Sequence, residues 1–357
     1  MFESILSDLL DRYGEMNSRV GSALHNVAVA NLRAGLLNDA KDAIEEAVRI
    51  RKETLGEEDS KVADSMVEFG IILLSMKNYS ESLETFEKAF KLRQKEFIKA
   101  EKSELAQEAE LKMAKIRHNI GCVNFELGKL EEAKEAYNKA IDQQKKAFGT
   151  WKTPLMIMTD TTKPGFLTMA STMCNKGYIE LEQGNYKEAL TIFQESLKIQ
   201  KLLLEADNKL ILGTLDNVGF AHCMRHDYTK ALQIYEELCT LQQESYNDQT
   251  LKAWSQSVRK LIFCQIQMKQ WDKAFANLEA LDDYLKTKGK GKNLKEDQES
   301  VRKLMGDVNY QIFKFPSLSG ALSCGMCADS AEIDLTAWIP KKPANGSKMS
   351  GHRMNYA

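Results

Sequence analysis

The chain has 357 residues, 43% hydrophobic and 28% charged, and its 49 basic and 51 acidic side chains leave a formal net charge of −2. That balance excludes a nucleic-acid binder held by a broad basic face, and no apolar run approaches the roughly 20 residues of a membrane span. The 7 cysteines are irregularly spaced and read as reduced intracellular thiols, not as a disulfide frame.

The first residues, MFESILSDLLDRYGEM, carry no basic stretch ahead of their apolar positions and their early charges are acidic, so they read as a capping helix over 1–20, not as a signal or transit peptide. All 5 prolines (Pro154, Pro164, Pro316, Pro340 and Pro343) fall at or after residue 154, which suits long helices before it, because proline removes a backbone donor and clashes with the preceding turn. A spacing then recurs along the chain. Asn119, Gly121, Ala133 and Tyr137 are matched by Asn175, Gly177, Ala189 and Phe193, and again by Asn217, Gly219, Ala231 and Tyr235. Glycine inside a helix costs about 1 kcal/mol against alanine, so its return at one register implies a packing need.

This pattern resembles the tetratricopeptide repeat, a helix–turn–helix unit. In the family's register the small residue of the first helix is Ala28, Gly70, Gly121, Gly177 and Gly219. The alanine of the second helix is Ala40, Ala133, Ala189, Ala231 and Ala274, with Ser82 in the second repeat, and the large residue is Ile44, Phe86, Tyr137, Phe193, Tyr235 and Leu278. The resemblance implies an all-α fold, a right-handed superhelical solenoid of about six repeats with a helix capping each end. The repeats are placed at 21–62, 63–113, 114–169, 170–211, 212–254 and 255–296, followed by a capping helix at 297–315, with Gly306 near the small position, and a flexible tail at 316–357. Their unit is nearer about 42 residues than the 34 of the commonest form, and resembles the long repeat of kinesin light chains. Those proteins carry a long heptad segment before their repeats; about 20 residues precede the first repeat here, so motor binding by that route is not expected.

The connectors depart from the period in different ways. Residues 95–113 are rich in Ala, Glu, Lys and Leu and are expected to extend the neighbouring helices. Residues 148–168 hold Pro154, Pro164, Trp151 and an apolar run at 155–158, and are expected as a loop that either packs back on the repeats or binds a partner. Residues 286–295 are a Lys/Gly run without a phosphate-cradling pattern and read as a solvated loop. In the tail, Glu332, Asp334 and Trp338 resemble the tryptophan-acidic segments received by kinesin light chain repeats, and could dock on the chain's own groove or hang free. Cys324 and Cys327 form a CxxC without the second pair or the βαβ context that would give it chemistry.

In this family the first helices line a concave groove. Carried over residue by residue, the groove set is His25, Asn26, Val29, His118, Asn119, Cys122, Phe125, Asn175, Tyr178, Asn217, Phe220, Arg259 and Phe263. The recurring asparagines could hold a peptide backbone through their amides or bond within their own repeats. Apolar and aromatic neighbours suit an amphipathic helix or a peptide with large side chains. His222 and His226 stand four apart, but the glutamate of a zinc-hydrolase motif is missing and His226 falls at a turn. No nucleophile elbow, dinucleotide fingerprint or kinase signature is present. The sequence therefore points to a cytoplasmic, non-enzymatic scaffold or adaptor that binds a protein segment, with no cofactor, no metal, no nucleic acid and no small-molecule substrate. The alternative is a structural subunit of a larger cytoskeletal or ciliary assembly, held through the convex face and the 148–168 loop.

Overall fold

Runs of Ala, Leu, Glu, Lys and Gln free of proline favour helix, and the residues described in the computed structural model are helical apart from short turns. It describes residues 2–100, 106–148, 163–244, 248–288 and 298–308. The helices are α1 (Phe2–Tyr13), α2 (Ser18–Ala34), α3 (Leu37–Leu55), α4 (Ser60–Ser75), α5 (Tyr79–Ala100), α6 (Ala106–Glu126) and α7 (Leu130–Phe148). There follow α8 (Lys163–Glu182), α9 (Tyr186–Leu203), α10 (Lys209–Met224), α11 (Tyr228–Glu244), α12 (Asp248–Gln267), α13 (Trp271–Lys288) and α14 (298–308).

One turn is used six times. Each first helix ends on a residue in the left-handed region: Gly35, Lys77, Gly128, Gly184, His226 and Lys269, with φ of 80°, 64°, 76°, 80°, 57° and 56°. The next amide then reaches back five residues, as in Leu36 to Asn31 (2.9 Å), Asn78 to Leu73 (2.9 Å), Lys129 to Asn124 (2.8 Å), Asn185 to Glu180 (2.8 Å), Asp227 to His222 (3.0 Å) and Gln270 to Gln265 (2.8 Å). This closure satisfies carbonyls that a helix end leaves open and reverses the chain in three residues. His226 is thus a turn residue, its Nδ1 bonded to the Tyr228 hydroxyl at 2.8 Å, and it does not share a helical face with His222. Polar caps start other helices: Asn17, Asp59 and Asn208 accept from the amides of Arg19, Lys61 and Leu210.

The consecutive helices pack in pairs because small residues let them approach. A methyl added at Gly70, Gly121 or Gly219 would lie 2.6, 2.5 or 2.7 Å from the ring of Phe86, Tyr137 or Tyr235. Each aromatic ring therefore occupies the volume its glycine vacates. Where the small residue is larger, the partner shrinks: Ala28 shares a core cluster with Ile44, and Ile262 with Leu278 replaces glycine with an aromatic ring in the last pair, both fully buried. Ser82 stands where its counterparts are alanine and is equally buried; its hydroxyl donates to the Gly70 carbonyl at 2.7 Å.

The described chain forms two compact units, one from residues 2–179 with 198–203, the other from residues 180–197 and 204–308. The first unit has a continuous core from Val62, Met66 and Phe86 through Val123 and Tyr137 to Ile179. The second buries Leu215, Tyr235, Leu238, Val258, Ile262, Leu278 and Leu281.

Several expectations change. The helical reading of 95–113 holds over the described part, α5 reaching Ala100 and α6 starting at Ala106. The connector expected over 148–168 is shorter, since α8 already begins at Lys163 with Pro164 in its first turn, where the missing amide costs no helical bond. Phe148 stacks on Phe166 there, ring centroids 4.0 Å apart. Helix α13 likewise runs to Lys288, into the expected Lys/Gly loop. Gly306 meets no described neighbour within 4 Å, so it marks no close helix crossing. Trp151, the run at 155–158, the Cys324–Cys327 pair and the tail residues Glu332, Asp334 and Trp338 lie outside the described residues. No described helix is long and apolar enough to cross a membrane.

Candidate peptide-binding face

The first helices of the pairs are α2, α4, α6, α8, α10 and α12, and all the groove candidates lie on them. Most of the set is buried: His118, Asn119, Cys122, Asn175, Tyr178, Asn217, Phe220 and Phe263. His25, Val29, Phe125 and Arg259 are half-buried, and Asn26 is exposed.

In the first unit, α6, α7 and α8 bring five polar groups onto one thiol network. The Thr172 hydroxyl donates to the Thr168 carbonyl at 2.8 Å, so it accepts from His118 Nδ1–H at 2.9 Å. His118 therefore carries its proton on Nδ1, and its bare Nε2 receives the Cys122 thiol at 3.6 Å. The same sulfur accepts from the Tyr137 hydroxyl at 3.4 Å and from the Asn175 amide at 3.5 Å. Burial pushes the Cys122 thiol up to about 12, above the hydrogen bonds from Tyr137 and Asn175 that pull the other way. The thiol is thus neutral and structural. Of the two roles open to Asn175, its donor serves the protein's interior. Asn119 and Asn217 differ: Asn119 Nδ2, and both amide atoms of Asn217, are buried without a hydrogen-bond partner among the described residues. Phe125 and Tyr178 meet edge to face at 5.8 Å beside this network.

His25 is set among α2, α3 and α4. Its Nδ1 lies 3.2 Å from the Ser65 hydroxyl and 3.4 Å from Arg51. Burial, then the Arg51 guanidinium, lower its pKa to about 4, against a weaker opposing pull from Asp64. In the second unit, Asp216 and Lys260 form an ion pair at 2.5 Å between α10 and α12, and Tyr228 meets Phe263 edge to face at 6.1 Å.

One recurring element escaped the sequence reading. Seven residues after the large residue, the second helices carry Arg51, Arg93, Gln144, Gln200 and Gln242, all buried. Arg51 donates to the Lys61 carbonyl (2.8 Å), Ser65 (2.6 Å) and Ser22 (3.3 Å), tying α3 to α4 and α2. Arg93 pairs with Asp64 and Glu96 and donates to Ser60 at 2.8 Å. Gln200 donates to Cys174 Sγ at 3.5 Å. The signal was present as a polar residue returning at a fixed offset from the large one; it was hidden because Arg and Gln on a helix usually denote its wet side.

Sequence profiles described as tetratricopeptide repeat match residues 19–95, 168–244 and 114–146. No curated protein matches the chain. Among solved structures, BtubC (BKLC) from P. vanneervenii is similar at 12% identity and TM-score 0.52, over 87% of this chain and 99% of its own. PilF of Pseudomonas aeruginosa is similar at 16% identity and TM-score 0.50, over 78% of this chain and 96% of its own. The nearly identical TPR-like repeats of a kinesin light chain candidate from Podosopora anserina are also found, at 16% identity and TM-score 0.47, over 65% and 98%. Likeness at such identities speaks for the fold alone. With the profile matches lying on the hairpins whose glycine and aromatic pairs define them, the chain belongs to the tetratricopeptide repeat family, whose domains are in general protein–protein interaction modules.

Proposed function

We propose that this protein is a cytoplasmic, non-enzymatic adaptor whose first helices receive a peptide segment or helix of another protein. The observation that carries this reading is the mixture on those helices of half-buried Val29 and Phe125 with exposed Asn26 and half-buried His25. Large apolar contacts supply affinity to such a surface, and polar groups beside them orient the ligand. A cytoplasmic setting is supported by the thiols: Cys122, Cys223, Cys239 and Cys264 carry no disulfide, as suits a reducing compartment.

The test must use residues that keep a face open to solvent. Asn175 and Phe220 are poor choices, since one bonds Cys122 and the other is buried. Peptides selected from a random display library on the wild-type chain should lose about tenfold or more in affinity for a Phe125→Ala/Asn26→Ala variant with unchanged helical signal. They should bind Ile98→Ser normally, since Ile98 is on a second helix and 63% exposed. Loss at Ile98→Ser, with no effect at Phe125 and Asn26, would replace the adaptor reading with that of an assembly subunit gripped through its second helices.

A further inference from the structure

Cys223 lies in the last turn of α10 and Cys264 within α12, and their sulfurs are 3.3 Å apart in the second unit. A thiol pair gains little as a hydrogen bond, since S–H is a weak donor and sulfur a weak acceptor. The packing alone does not require two sulfurs to face each other, because alanine or valine would fill similar space. The pair spans 41 positions of sequence, so only the fold brings it together. A disulfide needs the sulfurs at about 2.04 Å, an approach of little more than an ångström from where they stand.

We infer that Cys223 and Cys264 are an oxidation site, a dithiol that a two-electron oxidant of the peroxide class converts to a disulfide joining α10 to α12. This goes beyond the adaptor reading and stands independently of it. Cys223 is 4% exposed and Cys264 0%, so Cys223 meets the oxidant first. Its sulfur attacks one peroxide oxygen; the S–O bond forms, the O–O bond breaks, and the departing hydroxide leaves as water with the thiol proton. The Cys264 sulfur then attacks the sulfenic sulfur of Cys223. The S–S bond forms, the S–O bond breaks, and the hydroxide leaves as a second water with the Cys264 proton. Two thiols and one hydrogen peroxide thus become one disulfide and two waters. The hydrogen bond with Cys223, and then burial, raise the Cys264 thiol above its ordinary pKa, which makes the reaction slow and confines it to sustained oxidative exposure. The product would fix the spacing of α10 and α12, and with it Phe220 and Phe263 on the same two helices.

The experiment exposes the full native chain to hydrogen peroxide, alkylates it under denaturing conditions and maps the cysteines by mass spectrometry without reductant. The expected result is one cross-linked peptide pair containing Cys223 and Cys264, reversed by dithiothreitol and absent from Cys223→Ala and from Cys264→Ala. Cys122→Ala, carried in parallel, should retain it. The oxidised wild type should melt higher by about 5 °C, because the bond closes a long loop in the unfolded chain. The same chain unfolded in urea provides the time scale. If it forms disulfides while native Cys223 and Cys264 are still fully alkylated, or carry sulfinic acid without a cross-link, the inference is overturned. A native cross-link to any other cysteine overturns it equally. Should an alanine variant fail to fold, the wild-type peptide map alone decides.

Discussion

At His226, Lys77 and Lys269 the backbone is left-handed without being glycine, and these three turns hold strain that the three glycine turns do not. A non-glycine residue there costs about 1 kcal/mol or more, partly offset by the chain entropy glycine brings. Each of Lys77→Gly, His226→Gly and Lys269→Gly should therefore raise stability by up to about 1 kcal/mol in urea unfolding, whereas Gly128→Ala should lower it similarly. The Gly128 penalty would be conformational, since an added methyl meets nothing within 4 Å. His25 makes a second prediction at this scale. Its folded pKa is about 4 against an ordinary 6.5, so between those values the unfolded chain holds a proton that the folded chain refuses. Stability is full above 6.5 and falls as the pH drops toward 4. Its loss from about pH 8 to about pH 5 should be about 2 kcal/mol in the wild type beyond that in His25→Asn, by urea titration at each pH. An equal slope in the two proteins would mean that burial and the positive charges of Arg51 and Lys115 do not hold His25 neutral against the opposing pull of Asp64.

At the scale of elements, a pair of helices stands or falls with one close approach. Gly121→Ala puts a methyl 2.5 Å from the Tyr137 ring, which is itself buried in the core. We expect a loss of about 2–3 kcal/mol, and partial rescue by Tyr137→Leu, which withdraws the ring. Ser82→Ala, by contrast, removes only the 2.7 Å bond to the Gly70 carbonyl and should cost no more than about 1 kcal/mol. The contrast, measured by thermal and urea unfolding, separates volume from polarity as the basis of pairing. The alanine and large-residue registers of these pairs were legible in the sequence because they obey a local spacing rule, the i, i+4 face of a helix. The buried Arg51, Arg93, Gln144, Gln200 and Gln242 were not, because burial of a polar residue depends on what the next helix brings.

At the scale of the molecule, helix pairs stacked on neighbours have stability that is a sum of local and nearest-neighbour contributions. Damage is then felt locally. Gly219→Val drives a side chain into the Tyr235 ring, and should raise amide exchange in α10, α11 and the adjoining α12. The amides of α2 to α5 should keep their protection, as read by hydrogen–deuterium exchange. Uniform loss of protection throughout would show a single cooperative unit instead.

The sequence by itself determined that the chain is helical, that the helices come in pairs, and which small and large residues meet within each pair. These follow from helix propensity, turn chemistry and the fixed spacing of small and large residues within one hairpin, all of which act over fewer than about 30 residues. Only the tertiary structure decided that the Asn175 amide serves Cys122, that His118 and Asn119 lie inside, and that Cys223 faces Cys264. Those outcomes depend on the rotation and offset of one first helix against the next, where partners stand 41 to 54 residues apart. That relation is set by the summed packing of many side chains and by no motif that a single stretch of sequence contains.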